Sequence, residues 1–372
     1  MSRYLFSSHD GYGLGHVRRN VLIAREVARC DPDAQITLVT GVSRRPVWLQ
    51  DPRFTVVAVP PLLKNAQGEY DNPGLGLRAA VAERARIFAN TVADLRPDVV
   101  VVDRHPYGTA GELRPGLVAA RRHGATILLG LRDVIDDVAT VRRELGGQGW
   151  EGVSRLFDEV LVFGNPLLCD HEREYGLEIR PTYCGWVVEA PARQVRDDNL
   201  VVISAGGGGD GETVFRLGVE ALRRRPHLSG IVAAGPYTGE WAQQSMRGDS
   251  DLAARVQLSR DTGSTVQLFA GAGGVVQMCG YNSTVEALSA GVRAVLIPRR
   301  SPRREQAIRA SRLASLGLAD VVDESASPDE VAWLLDQPRL LPDGACERAG
   351  ISLDGATFAA RMLTSRALAA VA

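Results

Sequence analysis

The sequence predicts an α/β protein made of two tandem doubly wound, Rossmann-like domains, each built on a parallel sheet. Three observations carry that expectation. Short, near-continuously apolar runs alternate with helical patterns, as strands buried on both faces require. The alternation breaks over residues 182–196 and then restarts. Each half also opens in the same way, with an apolar run, a glycine-rich loop and a helix. The architecture repeats; the residues do not.

In order along the chain, residues 4–8 form a short apolar run, followed by a glycine loop and a helical pattern over 17–30. Runs at 36–40 and 56–59 supply further strands. A helix over 77–95 leads into 98–103, whose valines suit a strand covered on both faces, and runs at 127–131 and 159–163 continue the series. Residues 182–196 mix Gly, Pro and charges and read as the interdomain linker. Beyond them, strands at 200–204, 230–234, 266–269, 275–279 and 294–298 accompany helices at 212–224, 283–290 and 304–316. The expected division is an N-terminal domain over 1–187, a second over 188–355, and a final helix within 356–372 that packs back on the first.

Composition sets bounds on function. The 372 residues allow two domains with sizeable cores, and 45% hydrophobic with 23% charged residues is ordinary for a soluble protein. A net charge of −1 gives no field drawing the chain to nucleic acid or anionic lipid. Of the 43 basic side chains only Lys64 is a lysine, a bias that suits a GC-rich bacterial genome. The five cysteines are scattered without a C-x-x-C pair, which argues against zinc or a disulfide framework and for a reducing cytoplasm. Neither a leader pattern nor a membrane span is expected.

The first glycine loop runs Ser8-His9-Asp10-Gly11-Tyr12-Gly13-Leu14-Gly15-His16-Val17-Arg18-Arg19. Glycines after a first strand let the backbone turn sharply and come close to a ligand, either for that purpose or for the turn alone. A dinucleotide fingerprint needs a third glycine where His16 stands and an acid after the second strand, where Thr40-Gly41 stands. A P-loop needs Gly-Lys-Ser/Thr, and the lone lysine is elsewhere. Neither fits. His16 begins a helix and is the first candidate for a proton acceptor near neutral pH, with His9 and Asp10 as rivals. Arg18 or Arg19 one turn on is a candidate phosphate contact, although exposed arginines are commoner.

The second half opens with four consecutive glycines, Gly206, Gly207, Gly208 and Gly209, then Asp210 and Gly211 before a helix. Such a run is entropically costly and points to close backbone approach to a ligand. Further on, Cys279-Gly280-Tyr281-Asn282-Ser283-Thr284-Val285-Glu286 ends a strand and starts a helix. Asn282, Ser283 and Thr284 read as its cap, with first-turn amides forming an anion site suited to a diphosphate. Glu286, expected within the first turn, either complements the helix dipole or binds ribose hydroxyls. Glu305 and Gln306 follow the next strand.

These residues resemble the donor domain of GT-B glycosyltransferases. The likeness is to the branch containing the enzyme that adds N-acetylglucosamine to the lipid-linked peptidoglycan precursor. It rests on Ser283-Thr284 at a helix start, Glu286 five residues before Gly291, the pair Glu305-Gln306, and the two glycine loops. It implies a nucleotide-diphosphate sugar as co-substrate, a UDP-sugar by preference, and inverting transfer without a metal or other cofactor. The diphosphate would lie at Gly206–Gly209 and Ser283-Thr284, the ribose at Glu286, the sugar at Glu305-Gln306 and the base near Phe269. Glu305 replaces a glutamine of the peptidoglycan enzyme, which leaves the transferred sugar open. Gly271 to Gly274 replace a stretch often helical in that family.

The acceptor is expected at the first domain, near Gly13, Gly15, Arg18, His105 and Asp133, and is a small molecule or lipid-linked. His16 is the first choice of base. Asp103, ending the valine strand where ligands of open α/β sheets gather, is the second. The segment Arg132-Asp133-Val134-Ile135-Asp136-Asp137 reads as acceptor-side or structural rather than as a metal site. The loop Gly13-Leu14-Gly15-His16-Val17-Arg18-Arg19 also resembles that of a nucleotide-sugar hydrolase of the same fold, in which the histidine activates water. Hydrolysis or epimerisation is the first rival, and a non-catalytic nucleotide-sugar-binding protein the second.

Overall fold

The computed structural model describes residues 1–8, 14–42, 49–64, 70–206, 210–235, 238–239, 244, 249–260 and 264–371. His9, Asp10, Gly11, Gly13, Gly207, Gly208 and Gly209 lie outside the described residues. The chain divides into two compact units, Met1–Val187 with Asp354–Ala372, and Val188–Leu353.

The first unit holds a seven-stranded sheet, in order β3-β2-β1-β6-β7-β8-β9. Its strands are β1 (Arg3–Ser7), β2 (Gln35–Thr40), β3 (Phe54–Ala58), β6 (Val99–Asp103), β7 (Thr126–Arg132), β8 (Glu159–Phe163) and β9 (Pro181–Tyr183). A separate antiparallel pair, β4 (Leu63–Lys64) and β5 (Tyr70–Asp71), interrupts the series. All pairings in the large sheet are parallel. Its helices are α1 (Gly15–Cys30), α2 (Leu77–Leu95), α3 (Arg114–Arg122), α4 (Val138–Leu145) and the short α5 (Val153–Leu156). Val99 to Val102 of β6 are each at most 1% exposed. Each such side chain contributes about 1.5–3 kcal/mol by burial, which is why a strand covered on both faces is written as an unbroken valine run.

The second unit repeats the plan with six parallel strands, in order β12-β11-β10-β13-β14-β15. These are β10 (Asp197–Ser204), β11 (Ser229–Ala233), β12 (Val256–Ser259), β13 (Ala272–Gln277), β14 (Val295–Leu296) and β15 (Asp320–Val321). The helices are α6 (Glu212–Arg223), α7 (Ser250–Arg255), α8 (Thr265–Ala270), α9 (Tyr281–Ser289), α10 (Glu305–Ser315), α11 (Pro328–Leu335) and α12 (Ala345–Arg348). The last helix, α13 (Gly355–Val371), belongs to the first unit and packs along α1.

Three local expectations are corrected. Residues 266–269 form helix α8, not a strand. Val266, Phe269 and Ala270 are its buried residues, a helical i, i+3, i+4 spacing that a four-residue run cannot distinguish from a strand. The strand beside β10 is β13, which takes in the glycines at 273 and 274. A Cβ at Gly273 would lie 2.3 Å from the Asp198 carbonyl oxygen, so glycine permits the close approach of β10 there. Within the expected linker, residues 182–187 are part of the first unit: β9 ends at Tyr183, and Trp186 is fully buried.

Candidate functional site

In both sheets the strand order reverses once, between β1 and β6 in the first unit and between β10 and β13 in the second. Connections leaving to opposite faces open a crevice at the carboxyl ends of such strands, and this is where ligands of open α/β sheets bind.

At the first crevice, β6 delivers Asp103 and the start of α1 delivers His16. The two alternative bases form one dyad: His16 Nδ1 lies 2.8 Å from Asp103 Oδ2. A carboxylate only accepts, so Nδ1 carries the proton and Nε2 is left with its lone pair. Arg19 donates from Nη2 to the other carboxylate oxygen at 2.5 Å. Arg19 is 3% and Asp103 2% exposed, and the guanidinium lies 4.8 Å over the Phe163 ring. The buried carboxylate thus has the cation it needs. Burial pushes the His16 pKa below its ordinary value of 6.5; Asp103 opposes the shift, while Arg19 and Arg132 add to it. The imidazole is therefore neutral at neutral pH, in the form a general base requires.

Around the dyad, His105 and Arg104 line a small cavity of about 10 Å³ with His16, Arg132 and Trp150. That is about the space of one water. Arg104, next after Asp103, has φ 69°, a left-handed conformation rare outside glycine, and its Nε donates to His105 Nε2 at 3.2 Å. Gly15 is the first residue of α1, and Arg18 is half-buried one turn on. Asp133 is fully buried; it accepts from the Val134 amide at 2.7 Å and from Trp186 Nε1 at 3.2 Å. That placement makes it a tie between the end of β7 and the segment after β9.

At the second crevice the geometry differs. Gly206 has φ +60°, and a Cβ at Gly211 would lie 2.1 Å from that of Ala205, so glycine at 211 permits close approach to the residue that follows β10. Helix α9 begins at Tyr281 with Gly280 in the cap position and no side-chain cap bond. This corrects the expectation that Asn282, Ser283 and Thr284 cap it. They lie at its start instead: the Asn282 and Ser283 amides come before the first intrahelical bond, which the Thr284 amide makes to the Gly280 carbonyl at 3.1 Å. Ser283 Oγ donates to the Gly280 carbonyl at 3.4 Å, and Thr284 Oγ1 to Cys279 Sγ at 3.6 Å. Glu286 consequently falls in the second turn, not the first, and is 4% exposed. Phe269 is fully buried in α8.

Gly206, Asp210, Gly280, Ser283, Arg299 and Gln306 line a cavity of about 190 Å³. Arg299 donates from Nη1 to Asp210 at 2.6 Å and from Nη2 to Glu305 at 3.0 Å, and its amide to Gln306 Oε1 at 3.4 Å. Burial alone would lower the Arg299 pKa; Glu305 and Asp210 outweigh it and the value is raised. Arg309 is fully buried and donates to the Cys279 carbonyl at 2.7 Å, bracing the turn into α9. Nothing in the sequence singles out Arg299 or Arg309, and Arg19 has there the look of an ordinary exposed arginine. The spacing of His16 and Arg19, three apart and so on one helical face, is a signal that would find Arg19. Among the described residues no group of three or more His, Cys, Asp or Glu is placed to hold a metal ion, and no helix is long and apolar enough to cross a membrane.

Two Rossmann-like units in tandem with these crevices define the GT-B fold, and solved structures share it over the whole chain. MurG of Acinetobacter baumannii is 15% identical with a TM-score of 0.58, covering 100% of this chain and 98% of its own. The glycotransferase of kitacinnamycin is 15% identical with a TM-score of 0.64, covering 100% and 97%. Medicago truncatula UGT71G1, complexed with UDP-glucose, is 13% identical with a TM-score of 0.60, covering 98% of each chain. No protein-family model matches the chain, and neither does any curated protein.

Proposed function

We propose that this chain is a nucleotide-sugar-dependent glycosyltransferase that uses a UDP-sugar as donor. The observation that carries the reading is the second crevice: the Gly206 turn, the start of α9 and Gln306 surround one cavity, with Glu305 and buried Glu286 close by in sequence on the same helices. In this reading the diphosphate lies against the first-turn amides of Asn282 and Ser283, with the Thr284 hydroxyl beside them, Glu286 accepts from ribose hydroxyls, and Glu305-Gln306 meet the sugar. The nucleobase lies near Phe269. Solved neighbours of the same fold include one complexed with UDP-glucose.

The first unit supplies the base. His16 Nε2 takes the proton of the acceptor hydroxyl as its oxygen bonds to the anomeric carbon. The carbon–oxygen bond to the diphosphate breaks, and its electron pair leaves with the nucleotide. Asp103 holds the tautomer and stabilises the imidazolium that forms. Charge on the leaving group meets preorganised amides, worth several kcal/mol where water is excluded. One base and one displacement fit inversion, and the amides with Arg299 supply the charge stabilisation a metal would otherwise give. Gly15, Arg18 and His105 belong to the acceptor side, and Asp133 supports it structurally. The acceptor is a small molecule or lipid-linked, and five scattered cysteines without a C-x-x-C pair suit a reducing cytoplasm.

A second reading, nucleotide-sugar hydrolysis, is favoured by the one-water size of the cavity beside His16. Two measurements cover both readings. A thermal-shift panel of nucleoside diphosphates and their sugars identifies the donor, since saturation at 100 times Kd stabilises by about 2.7 kcal/mol. Product analysis with that donor then separates the two. Free sugar released at full rate without an acceptor establishes hydrolysis; absence of any stabilisation overturns the donor site.

A further inference from the structure

Arg299 stands in the wall of the second unit's cavity, held between two carboxylates of very different surroundings. Glu305 is 4% exposed in its side chain, whereas Asp210 is 50% exposed. Taking the cation from a buried carboxylate is costly, while an exposed ion pair contributes little. The Arg299–Glu305 contact is therefore fixed and the Arg299–Asp210 contact exchangeable. Asp210 ends the loop after β10, and Arg299 comes just after β14, so their pair joins two loops that line the same cavity. The Arg299 Nε is buried and has no hydrogen-bond partner among the described residues, although both terminal nitrogens are engaged.

The charges make the exchange directional. Two carboxylates and one guanidinium leave this cluster one unit negative, and Arg299 is the only cation among the described residues of the cavity wall. An anion entering between the Gly206 turn and Ser283 meets Asp210 as a repulsive charge and Arg299 as an attractive one. A guanidinium presents a planar fork suited to phosphate oxygens, and charge-assisted bonds to it are stronger than neutral ones. We propose that Arg299 is the diphosphate-binding cation of this pocket and that Asp210 is its exchangeable counter-ion. A phosphate oxygen takes Nη1 from Asp210, and buried Glu305 keeps Nη2 and so fixes where the guanidinium sits. The inference rests on the donor-pocket reading above and adds to it a specificity for the phosphates rather than the nucleoside.

Calorimetric Kd values for UDP and for uridine, with wild type, Arg299→Gln, Asp210→Asn and the double variant, test it. Arg299→Gln is expected to weaken UDP about tenfold or more and leave uridine unchanged. Asp210→Asn is expected to tighten UDP about threefold. That gain is expected to vanish in the double variant, because Asp210 acts through Arg299. Equal weakening of UDP and uridine by Arg299→Gln, no tightening by Asp210→Asn, or a gain that persists in the double variant each overturns it. Should Arg299→Gln not fold, Arg299→Lys replaces it: the charge stays but the fork is lost, and UDP is expected to weaken while uridine does not. Wild type that binds no nucleoside diphosphate removes the donor reading and this inference with it. Wild type that binds UDP while both single variants match it removes this inference alone.

Discussion

At the β1/β6 crevice the space is filled by side chains: Asp103 and Arg19 are almost wholly buried, and His16 closes over them with 21% of its side chain exposed. At the β10/β13 crevice the corresponding place is formed by a glycine turn, a helix start and a cavity of about 190 Å³. Strand order around the crevice and the parallel sense of pairing are the same in both. The two differ in the loop after the first strand and in the residue that ends its neighbour across the crevice. Asp103 at the end of β6 needs Arg19 and His16 as partners, and these consume the room. In the second unit Gln277 ends the equivalent strand, and Gly280 precedes the helix. One topology thus yields a crevice filled by converging side chains and another where backbone is left bare, and the proposed roles divide the same way, proton transfer at the first and anion binding at the second.

If the comparison holds, variants should separate the two functions. His16→Ala is expected to give the largest effect, a loss of turnover of about 10²–10⁴-fold, with the Kd for UDP unchanged. Unaltered turnover, measured by sugar release or transfer, would remove His16 as base; a matching loss of UDP binding would break the separation between the units. Next in size, Glu286→Gln is expected to weaken UDP about tenfold but dUDP, which lacks the 2′-hydroxyl, much less. Calorimetry with the two ligands reads this directly. Equal changes for both would make buried Glu286 a structural residue of α9 and not a ribose contact.

The parts of this plan that the sequence makes legible are those written in local composition. Strands buried on both faces become valine runs, and the glycine turns stand out because few other residues tolerate their geometry. The features that sequence hides are set by partners far along the chain. Arg19 and Asp103 are 84 residues apart and Arg299 and Asp210 89; among 42 arginines nothing local distinguishes Arg299 from solvated ones, and only the three-residue spacing from His16 marks Arg19. His16 and Asp103 look like alternatives for the same reason, since only the sheet order places β6 beside β1. Helix α8 resembles a strand in sequence because a run of four apolar-rich residues holds too little periodicity to decide. The α9 boundary differs from the expected one because Gly280, not Asn282, takes the cap, and that moves Glu286 into the second turn.

The smallest expected effect is also the sharpest test of why the first crevice is filled. His16 acts as a base only when neutral, so kcat/KM falls on the acid side as pH drops through its folded pKa. Burial places that value below 6.5, and the acid limb of wild type is expected there. Folding stability has the same sign. The unfolded chain binds the proton first, so stability is lost as pH falls from 6.5 through the folded value. Asp103 raises the His16 pKa, whereas Arg19 lowers it. Asp103→Asn should therefore move the acid limb further down, along with its loss of maximal rate, and Arg19→Met should move it up. Opposite displacements from two residues that touch the same imidazole cannot come from general destabilisation, which would move both the same way. Limbs shifting together, or not at all, would mean that the group titrating in the rate is not His16.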